Sequence, residues 1–216
     1  MGLTKEFDVD DFFQLFLKKF GQPTASRAIP EAAFPAYEGT LPDCLLSYWR
    51  EFGWCSFCNG LVWIVDPGLF RGLIKSWLSD MPEFDGADYY VFARSAFGSM
   101  YAYRPETGDV IRIRTTHSSI VAKRTLGKPT NNKERALQSF FATAQQADFD
   151  VVGEDDAPLF ARVLDGLGPL TEDEVYGFEP LLALGGSASV SNLKRLRLNV
   201  HLEIMRQFSR PVLRLV

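Results

Sequence analysis

The chain has 216 residues, of which 46% are hydrophobic and 23% charged, close to the average of globular proteins. This composition excludes a disordered chain, a collagen-like chain and a coiled coil. The net charge of −4 and a pI of about 5.3 argue against a general nucleic-acid-binding protein, which usually has a basic domain. Two histidines leave little room for histidine-based metal or acid–base chemistry.

The N-terminal segment lacks the features of a secretion signal. Four acidic residues interrupt any apolar run between Met1 and Phe20, and Glu6 stands where a myristoylation signal has Ser or Thr. The longest uncharged apolar stretch, 52–65, has 14 residues and is too short to span a bilayer. We therefore expect a cytoplasmic protein without a membrane partner.

The first half of the chain alternates helical and strand-like segments. Apolar residues in 8–20 recur at the spacing of one helix face, with Asp8 or Asp10 as N-cap and Gly21 as the stop. Residues 22–40 contain three prolines and are predicted to form an irregular connection. Four further elements are predicted in chain order: a helix from Pro42 to Gly53, a strand at Leu61–Val65, a helix at 70–78 and an acidic loop at 79–88.

A β-rich segment follows. Its strand-like runs are Tyr89–Ser95, Ser99–Arg104, Asp109–Thr115 and a short one at 118–122. The sequence Pro105-Glu106-Thr107-Gly108 predicts a hairpin turn between the second and third runs. Together with 61–65, these runs predict an α+β fold with a mostly antiparallel twisted sheet flanked by helices.

The C-terminal part, from about residue 125, is predicted to be largely helical. Helices are expected around 137–144 and over Ala157–Leu167, and Thr171 with Glu174 has the spacing of a capping box. Residues 192–205 fit a strand, a helix or both. We expect two domains, 1–115 and 116–216, packed together without a linker between them.

Cys55 and Cys58 form a Trp-Cys-x-x-Cys sequence with Trp54. A thioredoxin-like site needs its first cysteine at a helix N-terminus, where the dipole lowers the thiol pKa. Here the pair is predicted to lie in a turn between a helix and a strand. Two small residues at a helix end are therefore the main interpretation, and a thiol oxidoreductase is the less favoured alternative.

Charge is unevenly distributed along the C-terminal half. Between Asp148 and Glu179 there are ten acidic residues and one basic residue, whereas 190–216 contains six basic residues and one acidic residue. The two segments could be solvated faces that partly neutralise each other. Alternatively, the acidic residues could form a surface for a basic partner.

The common catalytic motifs are absent. The sequence has no P-loop, no dinucleotide fingerprint, no nucleophile elbow and no zinc-protease motif. The triplet Glu154-Asp155-Asp156 could gather a divalent ion, but acids before a helix are more often favoured by its dipole. We predict no catalytic, cofactor-binding or metal-binding residues, and a binding protein rather than an enzyme.

Two stretches resemble known families. The first contains Leu41-Pro42, Tyr48-Trp49, Phe52-Gly53-Trp54, Asn59-Gly60 and Val65-Asp66-Pro67, and it resembles the GAD-like domain. The second contains Tyr176-Gly177-Phe178-Glu179-Pro180, Leu184-Gly185-Gly186, Asn192-Leu193 and Val200-His201-Leu202, and it is similar to the C-terminal domain of type VI secretion immunity proteins that neutralise DNase effectors. The first pattern is also similar, more loosely, to the SUKH superfamily of toxin-immunity proteins.

The resemblance implies an immunity protein that binds a cognate nuclease toxin and blocks or deforms its active site. It implies no direct nucleic-acid partner and supplies no catalytic residues. The motif residues look structural. Gly177, Gly185 and Gly186 are expected to serve backbone turns, and Tyr176, Phe178 and His201 are expected to serve packing. A SUKH-like regulatory or scaffolding module remains the alternative.

A nuclease active site is basic because it holds phosphates, so an inhibitor that competes there is expected to present acids. The chain offers two exposed acidic segments for this purpose. The candidate partner-binding residues are Asp80, Glu83, Asp85, Asp88, Glu154, Asp155 and Asp156.

Overall fold

The computed structural model describes residues 8–216 and confirms an α+β fold. Six helices are present in this range: α1 (Asp11–Phe20), α2 (Asp43–Phe52), α3 (Arg71–Leu78), α4 (Glu134–Thr143), α5 (Phe160–Leu167) and α6 (Leu198–Phe208). The strands are β1 (Ala25–Arg27), β2 (Trp54–Phe57), β3 (Val62–Ile64), β4 (Tyr90–Ser95), β5 (Met100–Arg104), β6 (Asp109–Arg114), β7 (Ser119–Ala122), β8 (Glu174–Phe178), β9 (Leu193–Arg197) and β10 (Val212–Leu215).

An eight-stranded sheet in the order β1-β2-β3-β4-β5-β6-β7-β10 forms the centre of the molecule. Neighbouring strands from β1 to β7 are antiparallel, and β10 joins β7 in parallel. The predicted strands at 61–65, 89–95, 99–104, 109–115 and 118–122 are confirmed. Gly108, at φ +75°, closes the predicted hairpin between β5 and β6.

Two strands of the sheet come from segments predicted otherwise. β1 lies in the connection predicted to be irregular, and β2 contains Cys55, which was expected in a turn. β2 pairs with β1 on one side and with β3 on the other. The reason is that Gly53 stops α2 with a left-handed φ of +70°, which lets the next residue enter the sheet at once.

An aromatic cluster packs α1, α2 and α4 against the sheet. The Phe13 ring lies 4.1 Å from the Tyr48 ring and 5.0 Å from the Phe141 ring. Asp10 is the N-cap of α1, because its carboxylate accepts the backbone N–H of Phe13. The other oxygen of Asp10 accepts the Tyr48 hydroxyl at 2.7 Å and the amide of Gln138 at 2.9 Å. One carboxylate therefore ties three helices together.

The C-terminal part contains α4, α5, α6 and the two-stranded sheet β8-β9. The capping-box prediction at Thr171 was wrong. Glu174 does reach back to the backbone N–H and hydroxyl of Thr171, but the turn that they form leads into a strand. The β-branched and aromatic residues that follow favour a strand. Residues 192–205 form both elements, with β9 followed directly by α6.

Both parts of the chain contribute to the large sheet. β7 and β10 lie beyond residue 115 and extend the sheet that the first part begins. Lys19 of α1 donates to the carbonyls of Ala142 and Ala144 at the end of α4. The division into 1–115 and 116–216 stays a prediction, while the structure shows that the two segments share one sheet and one core.

Arg94 links β4 to the segment that precedes β8. Its guanidinium is fully buried, lies 4.6 Å from the Trp63 ring centroid and donates to the carbonyls of Thr171 and Glu172. Burial lowers the pKa of Arg94. This buried cation therefore fixes where the acidic segment 171–174 lies against the large sheet.

Across residues 8–216, none of the helices combines the length and the apolar character needed to cross a membrane.

Candidate partner-binding surface

The first acidic segment is a short loop that packs on buried aromatic residues. Pro82–Phe84 forms a single 3-10 turn after α3. Phe84 is buried and its ring lies 5.7 Å from the ring of Tyr89, in an edge-on arrangement. Glu83, Asp85 and Asp88 are exposed around this anchor. The loop therefore exposes three carboxylates, and the packing of Phe84 against Tyr89 holds it in place.

Asp80 differs from the other acids of this loop because it is already paired. Arg206 of α6 binds the Asp80 carboxylate and also donates to the backbone carbonyls of Ser76 and Ser209. The Arg206 guanidinium lowers the pKa of the Asp80 carboxyl. Asp80 thus connects the end of α3 with α6 and contributes less free negative charge than its neighbours.

A cavity of about 340 Å³ lies between α3 and the acidic loop. Asp85 and Asp88 line it from the loop, and Arg71 and Lys75 line it from the helix. The Arg71 guanidinium lies 5.7 Å from the ring centroid of Tyr90. The cavity is therefore of mixed charge, whereas the outer rim of the loop is acidic.

The second acidic segment is a tight turn closed by an isolated bridge between Val152 and Pro158. Asp155 pairs with Arg162 at 2.8 Å, and hydrogen bonding from the Ala157 backbone lowers the pKa of the Asp155 carboxyl. Glu154 and Asp156 are exposed. No hydrogen bond or ion pair between described residues joins this turn to the 80–88 loop.

The predicted role of the triplet at a helix N-terminus was wrong. The helix expected at Ala157 begins at Phe160, because the bridged turn occupies the intervening residues. The carboxylate that accepts the backbone N–H of Phe160 is that of Asp150, at 3.0 Å. Asp150 also accepts from its neighbour Val151, and burial raises its pKa. The sequence signal for this residue was obscured by the denser acidic run that follows it.

The remaining acids of 148–179 are largely neutralised across β8 and β9. Four ion pairs do this: Arg27–Glu172, Arg197–Asp173, Arg195–Glu174 and Lys194–Glu179. Three of the four bases come from the basic C-terminal segment. The interpretation of mutual neutralisation therefore applies to 172–179.

The cysteines lie in surroundings that do not favour thiol chemistry. Cys55 is buried in β2, and burial raises its pKa to about 12. Cys58 is half-buried and its thiol donates to the Phe20 carbonyl at 3.3 Å. A reactive thiol needs a lowered pKa, so both shifts oppose reactivity. The prediction that the pair lies at a helix end was wrong for Cys55, because β2 continues through it.

The motif residues of 176–186 have mostly structural roles. Tyr176, Phe178 and His201 are buried, as expected. Gly185 has a φ of +84° at the end of a 3-10 turn, as a turn glycine should. Gly177 has no such backbone requirement. It lies in β8 against the imidazole of His201, where a Cβ has no room.

An exposed apolar stripe on α6 was not predicted from the sequence. Val200, Ile204 and Phe208 follow one another at four-residue spacing, and all three are exposed. The spacing was visible in the sequence, but the same segment also shows a strand-like alternation. Which of its apolar residues face solvent depends on how α6 packs.

Within residues 8–216, no three His, Cys, Asp or Glu side chains gather in a way that could hold a metal ion.

Two family models and a solved structure match the chain. Residues 11–117 match the model of the GAD-like domain, and residues 134–209 match that of the T6SS immunity protein Tdi1, C-terminal. The crystal structure of Atu4351 from Agrobacterium tumefaciens superimposes with a TM-score of 0.81 at 20% identity, over 93% of this chain and 91% of that chain. This likeness shows the fold alone. No curated protein matches the chain significantly.

The matched segments follow each other in the order that the sequence motifs predicted, and they cover both the large sheet and the C-terminal helices. The chain therefore belongs to the family of proteins in which a GAD-like domain precedes the C-terminal domain of the type VI secretion immunity protein Tdi1.

Proposed function

We propose that this protein is an immunity protein that binds a cognate type VI secretion nuclease toxin, a DNase, and neutralises it by stoichiometric inhibition without catalysis. The match of residues 134–209 to the immunity-protein C-terminal domain carries this proposal. The raised pKa values of Cys55 and Cys58 oppose the main enzymatic alternative. Because a DNase reaches its substrate in the cytoplasm, we place the protein there as well.

The acidic loop supports a nuclease as the partner. Glu83, Asp85 and Asp88 are exposed and form no ion pair with any described residue. Exposed carboxylates without an ion-pair partner complement the cationic surface with which a nuclease holds phosphates. We propose this loop as the first contact surface, with Asp80 at its edge, where Arg206 already engages it.

The turn that contains Glu154 and Asp156 is the second proposed acidic contact. Asp155 contributes less to it, because its carboxylate is already paired with Arg162.

The apolar stripe of α6 would supply the apolar part of a stable interface. Protein interfaces combine an apolar centre with a polar rim, and an exposed aromatic residue such as Phe208 is a frequent anchor.

Protection of cells tests the function. The proposed cognate nuclease toxin is induced in a host with and without the protein. We expect survival and intact chromosomal DNA only when the protein is co-expressed, and a one-to-one complex on size-exclusion chromatography. Unprotected cells, despite soluble protein at matched dose, would refute the proposal.

Charge reversal tests the two acidic contacts. We expect Glu83→Lys with Asp85→Lys, or Glu154→Lys with Asp156→Lys, to weaken toxin binding at least about tenfold, because like charges then face each other. The control is Glu31→Lys with Asp165→Lys, which changes two exposed acids elsewhere by the same total charge. Affinity equal to the control in both double variants would remove the acidic contacts from the proposal.

A further inference from the structure

A row of side chains crosses the outer strands of the large sheet. The strand register places Arg112 of β6 between Tyr101 of β5 and Val121 of β7, and it places Arg214 of β10 on the far side of Val121. Residues in register on neighbouring strands share one face of the sheet. At about 4.8 Å per strand, Arg112 and Arg214 lie roughly 10 Å apart. Arg114 is two residues further along β6 and shares their face.

These three arginines lack a negative partner. No carboxylate of residues 8–216 forms an ion pair with Arg112, Arg114 or Arg214, although eight other ion pairs join described residues. Among the described residues, Arg112 donates to a neutral group, the carbonyl of Asp148, and its guanidinium lies over the ring of Tyr101. Burial lowers the pKa of Arg114, and the charges of the other two arginines lower it further. This cluster of like charges is the exception in a chain of net charge −4.

A shallow groove of about 370 Å³ opens on the same face, between the outer strands and the end of α4. Its apolar lining includes Val121, Phe140 and Val216, and Arg112 and Lys123 contribute the cations. One acid, Asp148, also lines the groove, and its carboxylate accepts the backbone N–H of Gln145. A partner seated here would bury apolar side chains and would meet positive charge beside them.

β10 is an edge strand of the large sheet. The backbone N–H groups of Val212 and Val216 donate towards β7, to the carbonyls of Ser118 and Ala122. Because backbone groups alternate along a strand, those of Leu213 and Leu215 point away from β7. No strand among the described residues pairs with this outer edge. An edge of this kind is a template for an added strand.

We propose that the outer edge of β10 and the Arg112, Arg114 and Arg214 cluster form a docking surface for an extended acidic segment of a partner polypeptide. The edge supplies backbone hydrogen bonds, and Arg214 lies next to the added strand, where it can pair with a carboxylate on the face that they share. Arg112 and Arg114 lie two strands further in than Arg214 and add attraction for negative charge at longer range. The identification of that partner as the toxin rests on the proposed function. A second copy of this chain fits poorly, because antiparallel pairing of two β10 strands brings Arg214 close to its own copy.

Direct binding of a peptide tests the surface itself. The probe is a fluorescein-labelled peptide of alternating valine and glutamate, titrated with the full-length protein and read by fluorescence anisotropy. We expect binding that weakens as NaCl concentration rises, and at least about tenfold weaker binding of the valine–lysine peptide. No binding of the glutamate peptide, or equal binding of both peptides, would overturn the inference. Tighter binding of a single-stranded oligonucleotide of equal charge would overturn it in favour of a nucleic acid.

Two variants separate charge from strand pairing. Arg214→Glu reverses an exposed charge on β10, and Leu215→Pro removes an N–H that points away from β7. We expect each to weaken peptide binding at least about tenfold. Lys18→Glu on α1 is the matched control, since it reverses an exposed charge elsewhere. Far-ultraviolet circular dichroism and the urea midpoint establish that each variant is folded.

The toxin complex then distinguishes the two proposals. If the unaltered protein binds no toxin, the proposed function fails whatever the peptide does. If the unaltered protein binds the toxin, and Arg214→Glu and Leu215→Pro bind it equally well, the docking surface is wrong and the immunity function stands. Weakened toxin binding in both variants, with Lys18→Glu unaffected, supports both.

Discussion

The imidazole of His201 occupies the space that a side chain at position 177 would need. A Cβ built on Gly177 would lie 2.4 Å from His201 Nε2 and 2.7 Å from the Leu196 side chain. β8, β9 and α6 each contribute one of these three residues. The close approach of strand and helix at this point depends on glycine.

We expect Gly177→Ala to lower the free energy of unfolding by about 1–3 kcal/mol, because the added methyl group overpacks the contact with His201. Urea denaturation followed by circular dichroism measures the loss. Gly166→Ala is the control, since Gly166 lies in α5 with open space around it and alanine favours helix there. Gly177→Ala as stable as the unaltered protein would show that α6 can move away.

The pH dependence of stability tests the burial of His201. Burial lowers the pKa of His201 below its ordinary value of 6.5. The unfolded chain therefore binds the proton first, and stability falls as pH drops below about 6.5. We expect His201→Gln to flatten this fall, measured as thermal midpoints between about pH 7 and 5.5.

His117 is exposed, but partial desolvation of its ring and the nearby charges of Arg114, Arg112 and Arg214 lower its pKa as well, so it contributes to the same window. His117→Gln is therefore the companion variant, and the double variant should remove the histidine part of the slope. An unchanged slope in His201→Gln would mean that His201 titrates as it does in the unfolded chain.

Arg94 should be among the most sensitive positions of the core. Its guanidinium donates to the carbonyls of Ser95, Thr171 and Glu172, which would lose that donor in Arg94→Met. Leaving a buried acceptor unsatisfied costs about 1–3 kcal/mol, so we expect a loss of about 2–4 kcal/mol in unfolding free energy. Limited proteolysis should also cut the 168–174 segment faster.

Arg50→Met is the control for Arg94. Arg50 forms an exposed ion pair with Glu38, and such pairs contribute about 1 kcal/mol or less. If both methionine variants lose equally little stability, the segment before β8 is not held by Arg94.

Asp10 should stabilise the N-terminal helices through several bonds at once. Asp10→Ala removes the N-cap of α1 and the acceptor of the Tyr48 hydroxyl. A lost cap costs about 1 kcal/mol and an unsatisfied hydroxyl about as much again, so we expect a loss of about 2 kcal/mol or more. Calorimetry measures this loss of stability. The control is Asp11→Ala, which alters only an exposed acid of the first turn. Equal losses would show that neither the Asp10 cap nor its bonds to Tyr48 and Gln138 stabilise the fold.

Much of the fold could be predicted because its signals are local. Apolar spacing placed α1, α2 and α3, and alternation with turn residues placed the hairpin of β5 and β6. The acidic loop at 79–88 was visible as a charge run, and the family motifs at 41–67 and 176–202 were visible as residue patterns. These features depend on neighbours a few residues away.

The misplaced elements depended on distant partners. Thr171 and Glu174 make the contacts of a capping box, yet a strand follows because β9 and Ala96 provide partners for β8. β1 has three exposed residues and no local signal, and it exists because β2 offers an edge. Strand pairing joins segments far apart in sequence, so composition alone could not place these strands.

The sequence by itself determined the α+β class, the main helices and strands, and the domain family, because periodicity, turn residues and motifs depend on residues that are close together in the sequence. Only the tertiary structure decided which charges are free. It paired Asp80 with Arg206 and Asp155 with Arg162, and it left Arg112, Arg114 and Arg214 on one sheet face with no ion pair to any carboxylate of residues 8–216. Charge pairing depends on distances of a few ångströms, and some partners, such as Asp80 and Arg206, lie more than a hundred positions apart, so folding sets those distances.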